Sequence, residues 1–135
     1  MNFKYKKYAP NVLRPVIPVE IHYNDIEVPY EVLVDSGADI CVFDAGIAEI
    51  LGINLKSGRE DKIAGLTGAS EPFYLHTVII SVGGWEYEVE VGFLPNIGKY
   101  GYGVVGQRGF FENFVVKFDI KKEEIELKPR KDERS

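Results

Sequence analysis

The sequence predicts an all-β domain, a small barrel or sandwich with one or two short helices, and three observations carry that prediction. Apolar residues alternate with polar ones over several runs. Successive runs are separated by two or three turn-forming residues, and only two short stretches carry helical signals. Strands that follow one another without intervening helices exclude a doubly wound parallel sheet.

Residues 16–23 (VIPVEIHY) and 26–34 (IEVPYEVLV) flank Asn24 and Asp25, a pair suited to the left-handed geometry of a two-residue hairpin turn. In the second run Ile26, Val28, Tyr30, Val32 and Val34 share one face, with Glu27, Pro29 and Glu31 opposite. Leu33 then makes both faces apolar, so the strand enters the interior as it nears Asp35. Asp44 is placed to cap a short helix bearing Ile47, Ile50 and Leu51 on one face, with Gly52 to end it. A short strand is expected near 62–64. A second hairpin joins 73–82 to 85–94 through Gly83 and Gly84, and Tyr87, Val89 and Val91 alternate with Glu86, Glu88 and Glu90. Residues 108–114 read as a helical turn or two. The closing hairpin pairs 114–120 with 124–127 across Lys121 to Glu123.

With 135 residues, 45% of them hydrophobic, the chain suffices for one core without disulfide or metal support. Cys41 is the single cysteine, and His22 and His76 stand apart, so neither a disulfide nor a zinc site is expected. The net charge of −5 is uneven: residues 1–14 carry +4 and residues 121–135 carry +1, leaving −10 on the body. An acidic body argues against a groove that tracks nucleic-acid phosphates. No apolar run approaches the ~20 residues of a membrane helix, and no signal peptide opens the chain. A soluble protein of the reducing cytoplasm is therefore expected, with no membrane partner. The polar ends, 1–11 and 129–135, are read as frayed or recruited to an interface.

Asp35, Ser36, Gly37 and Ala38 follow the apolar strand directly, which places a carboxylate at a strand end on a glycine-permitted turn. Gly65, Leu66, Thr67 and Gly68 have the pattern of a glycine-hinged hairpin tip that closes over a cleft. Val104, Val105 and Gly106 form an apolar pair ending in glycine, just ahead of Phe110 and Phe111. This order of parts resembles the retroviral-type, pepsin-like aspartic proteases, the retropepsins, over roughly residues 15–128.

The resemblance implies a closed acid-protease barrel that is homodimeric, with residues 1–14 a basic extension and 129–135 a polar tail. It makes Asp35 the catalytic aspartate and Ser36 the hydroxyl that bonds across the dimer interface. Gly37 and Ala38 form the turn and first substrate wall, Asp39 holds substrate backbone, and Gly65 to Gly68 are the flap tip. Val104, Val105 and Gly106 cross behind the catalytic loop. One departure is that Gln107 stands where viral members carry arginine. Arg108 follows it, and either Arg108 substitutes or Asp39 goes unpaired. Aspartic proteolysis needs two carboxylates sharing a proton, one acting as base toward water and one as acid toward the scissile carbonyl. This chain holds one Asp-Ser-Gly, so a homodimer supplies the second and no metal or organic cofactor enters. An extended polypeptide would lie between flap and floor, with Ala38, Ile40, Leu66 and Val104 offering apolar pockets. The competing reading is a non-catalytic dimer of the same fold that binds peptides or serves assembly.

The remaining candidates have plainer readings. Gly101 to Gly106 spell G-x-G-x-x-G but follow a loop and lie outside any βαβ unit, so they are not read as a dinucleotide site. Cys41 reads as a packed apolar residue, His22 and His76 as sheet or surface residues, and Trp85 as core or interface.

Overall fold

The structure, a computed structural model, describes residues 1–64, 70–97 and 101–130. In chain order the strands are β1 (Asn2–Lys4), β2 (Lys6–Ala9), β3 (Val12–Arg14), β4 (Val16–Tyr23), β5 (Ile26–Val34) and β6 (Val42–Asp44). After helix α1 (Ala45–Ile50) come β7 (Arg59–Ala64), β8 (Ser70–Val82), β9 (Trp85–Leu94), β10 (Gly103–Val105), β11 (Phe114–Asp119) and β12 (Glu124–Pro129). Single helical turns lie at Leu55–Ser57 and Gln107–Phe111.

Among the described residues six strands close a barrel in the order β4-β5-β10-β6-β9-β8, sealed by the pairing of β4 with β8. β7 extends the sheet from β8, and a separate three-stranded sheet runs β1-β12-β11. The expected hairpins are present. Asn24 adopts a positive φ of 52° in the first turn, while Gly83 and Gly84 sit at 55° and 85° in the second, the mirror-image turn that follows strand twist. Periodicity does not disclose two pairings in the barrel: β10 runs parallel to β5, and β6 parallel to β9.

The core is the barrel interior. Ile17, Ile21, Val32, Phe43, Val91, Phe93, Val105 and Phe110 are fully buried. Each such side chain contributes about 2 kcal/mol by leaving water, several times the worth of an exposed ion pair such as Lys4–Glu124. Asp44 caps α1 by accepting from the Gly46 N–H at 2.8 Å, and Gly52 follows the helix at φ 76°. The helical face differs from expectation: Ala48 and Leu51 are buried, but Ile50 is 59% exposed. Six residues are too few to bury a whole apolar stripe. Trp85 is 47% exposed, because it opens β9 at the tip of a two-glycine turn rather than in the core.

The amino-terminal segment is not frayed. β1 pairs with β12, the Met1 ammonium donates to the Leu127 carbonyl at 3.0 Å, and Leu127 N–H donates to the Met1 carbonyl at 2.8 Å. The β2–β3 hairpin is held to the barrel by the Lys6–Glu31 ion pair and by Tyr8, whose ring meets Tyr102 edge-on at 5.3 Å.

Candidate active site

β5 delivers Asp35 to the barrel rim. Its last residues pair in parallel with β10, Val34 against Val105, and the ladder continues one step as the Asp35 N–H donates to the Val105 carbonyl at 3.0 Å. A tight turn follows. Gly37 N–H donates to Asp35 Oδ1 at 2.9 Å and Ala38 N–H to the Asp35 carbonyl at 3.1 Å, so the carboxylate is oriented by its own loop. Asp35 is half-buried, and Ser36 and Gly37 are exposed.

The residues after β10 clamp the loop from behind. Gln107 N–H donates to the Ala38 carbonyl at 2.8 Å, and Arg108 N–H to the Asp39 carbonyl at 3.0 Å. The Gln107 side chain adds a third bond, Nε2 to the Ser36 carbonyl at 2.8 Å. Gly106 sits so close that a Cβ there would lie 2.5 Å from the Ala38 and Ile40 carbonyl oxygens. Glycine is required at this position by space alone, since its φ of −123° is open to any residue.

Asp39 and Arg108 therefore meet through their backbones, and among the described residues neither side chain has an ion-pair partner. The glutamine that stands in place of arginine binds the Asp35 loop itself. Val104 pairs with both Leu33 and Val42 and is half-buried, while Val105 is buried behind the loop. Leu66, Thr67 and the two glycines of the expected flap tip, Gly65 and Gly68, lie outside the described residues.

Cys41 follows the loop inside the core. Burial pushes its thiol up to about 11, offset in part by a Gly106 backbone hydrogen bond and reinforced by Glu112, so it stays protonated and unreactive near neutrality. Tyr30 is pushed up to about 12, mainly by burial, while its hydroxyl accepts from the Asp44 N–H at 3.2 Å. His76 packs against Phe93 with its Nε2 at 2.7 Å from the Leu55 carbonyl, and His22 lies 3.8 Å from Glu27, which makes both structural. The run Gly101 to Gly106 supplies β10, a strand with no phosphate-cradling helix behind it. No group of three metal-ligating side chains occurs among the described residues.

A groove of about 670 Å³ opens beside the loop, beginning at Ala38, Asp39 and Ile40. Sequence reasoning singled out those three residues and gave no sign of the rest of the lining, notably Asp61, Phe73, Leu75, Glu88 and Glu112. The alternation of Glu86, Glu88 and Glu90 marked a solvent face; it gave no sign that this face overlooks the loop.

A family model described as aspartyl protease matches residues 17–108. A retropepsin-like aspartic protease from Rickettsia conorii is similar in structure, with a TM-score of 0.64 at 15% identity over 94% of this chain and 89% of that one. The EIAV protease in complex with an inhibitor gives 0.49 at 25% identity over 76% and 88% of the two chains. A simian foamy virus protease gives 0.44 at 19%, over 67% and 88%. No curated protein matches. The rickettsial likeness establishes the retropepsin-like fold. The family match covers well over half the chain, from the first barrel strand through the Asp35 loop to the residues that clamp it, and the chain belongs to the aspartyl protease family.

Proposed function

We propose that this chain is a homodimeric aspartic endopeptidase in which the Asp35 carboxylates of two protomers share one proton and activate a water against an extended polypeptide. The observation that carries the reading is Asp35, hydrogen-bonded into its turn at the end of a strand that becomes buried towards Val34, in a chain with one Asp-Ser-Gly. The nearest alternative within the chain, Asp44, is already engaged as the cap of α1.

Two carboxylates about 3 Å apart cannot both ionise, a case the aspartic proteases themselves exemplify. The ionised member takes a proton from water as its oxygen attacks the scissile carbonyl carbon. The protonated member gives its proton to the carbonyl oxygen. Ser36 supports the dimer: it is exposed, and among the described residues its hydroxyl makes no bond within the chain, leaving it available to the partner's loop. Asp39 and Ile40 would line the cleft with Ala38, and Val104 would back it. A cytoplasmic setting accords with the lone, buried Cys41; no helix among the described residues is long and apolar enough to cross a membrane.

Asp35→Asn is expected to lower kcat/KM on a peptide library at mildly acidic pH by roughly 10⁴ or more while leaving sedimentation unchanged. Wild-type activity should fall on dilution together with the dimer. Equal cleavage by both variants, or full activity from a monomer, overturns the reading.

A further inference from the structure

Resting on that reading, the geometry points to a subsite beside the catalytic loop that selects a basic side chain, lysine or arginine, at one position flanking the scissile bond. The groove that begins at Ala38 has an apolar floor made by Ile40, Val42, Phe73, Leu75 and Val89. Such a floor alone would favour leucine or phenylalanine. Its charged lining decides otherwise, because five acidic residues, Asp39, Asp61, Glu88, Glu90 and Glu112, line the groove against two arginines, Arg59 and Arg108.

One of the two arginines is already neutralised, since Arg59 Nη2 lies 3.0 Å from Glu90 Oε1. Arg108 is the remaining cation of the lining, against the carboxylates of Asp39, Glu88 and Glu112. Glu112, also in the lining, uses one carboxylate oxygen to accept from the Gly109 N–H at 2.8 Å. The carboxylates of Asp39 and Glu88 have no partner among the described residues. Lysine and arginine combine a hydrocarbon stem with a terminal cation, so the stem can cover the floor while the head reaches the rim. A glutamate at the same position would meet uncompensated like charge, and a leucine would leave the rim unused.

The position is tied to the chemistry through the backbone. Asp39 and Ile40 follow the Ala38 turn, and their carbonyls face the clamp formed by Gly106 and Arg108, so the groove cannot shift without moving the Asp35 loop. An extended peptide that lays one carbonyl over Asp35 would send a nearby side chain into this groove by the alternation of strand side chains.

The test is a set of peptides, identical except for lysine, leucine or glutamate at each flanking position in turn, cleaved by the full-length wild-type protein. At one position lysine should exceed leucine by about tenfold and glutamate by more, and the preference should shrink as salt rises. Charge reversal by Glu88→Lys should cut the lysine-to-glutamate ratio in kcat/KM by about tenfold or invert it. The same peptides are titrated onto Asp35→Asn protein by fluorescence anisotropy. Cleavage in which no position prefers lysine, or a preference that Glu88→Lys does not move, overturns the subsite and leaves the endopeptidase reading standing. Lysine-selective binding without any cleavage by wild type sustains the subsite and overturns the endopeptidase reading. Absence of both binding and cleavage overturns the subsite as well.

Discussion

The Asp35 loop and the groove beside it are neighbours built by opposite means. Residues 35–40 are fixed by main-chain hydrogen bonds from Gln107 and Arg108, by the ladder step from Asp35 to Val105, and by the close approach of Gly106. The rim of the groove is built from side chains projecting from strands that the barrel holds for its own reasons, with Glu88 and Glu90 exposed on the outer face of β9 and Val89 buried between them. The contrast separates two kinds of tolerance. Changes to the clamp should disturb the Asp35 carboxyl, while changes to the rim should alter what the proposed subsite accepts and leave the fold standing.

The sharpest test of the contrast is Gly106→Ala, because the new Cβ meets two backbone carbonyls at 2.5 Å rather than the flexible end of a side chain. Destabilisation of about 3 kcal/mol is expected in urea unfolding, with activity lost at temperatures where the variant remains folded. A midpoint indistinguishable from wild type would mean that the loop is not pinned from behind.

Cys41 gives a second measure, since it joins the loop to the core. Its unfolded thiol loses a proton near the reference value of 9.0, and the folded thiol only at about 11. Because the raised value favours the protonated folded form, the stabilisation is complete below pH 9 and is lost as pH rises through 11. The loss should reach the order of 2 kcal/mol between these limits. Cys41→Ala is less stable at pH 8 by a fixed amount, but its stability should fall less steeply from pH 8.5 to 10.5 at the same protein concentration. Parallel slopes would remove Cys41 from the account.

Much of this was legible in the sequence, and the boundary between read and unread is physical. β4 and β5 were visible because alternation and the Asn24–Asp25 turn are local signals, and Asp35 because it ends an apolar run. The parallel pairing of β10 with β5 was not, since a three-residue strand carries no period and its partner is some seventy residues away in sequence. The groove was missed for the same reason: Asp61 and Glu88 become neighbours of Asp39 only when β7, β8 and β9 fold across the loop. The basic amino-terminal segment carried charge as its obvious feature, and charge says nothing of the backbone ladder that joins Asn2–Lys4 to β12.

The smallest expected effects set one side chain from each region against the other. Gln107 is exposed, yet its amide bridges to the Ser36 carbonyl across the active-site turn. Gln107→Ala should cost about 1 kcal/mol in stability and lower kcat more than it raises KM, because the turn it steadies carries Asp35, the proposed catalytic carboxylate. Glu90 is also exposed and pairs with Arg59 at 3.0 Å, a fully charged contact, but one between two flexible, solvated side chains on the rim. Glu90→Gln should change stability by less than about 0.5 kcal/mol and leave kcat on an uncharged peptide where it was. If the ion pair proved the costlier loss, the division between a backbone-fixed loop and a tunable rim would fail. A neutral amide on the catalytic turn would then matter less to the fold than a surface charge, against the greater ordering that the turn imposes on its partners.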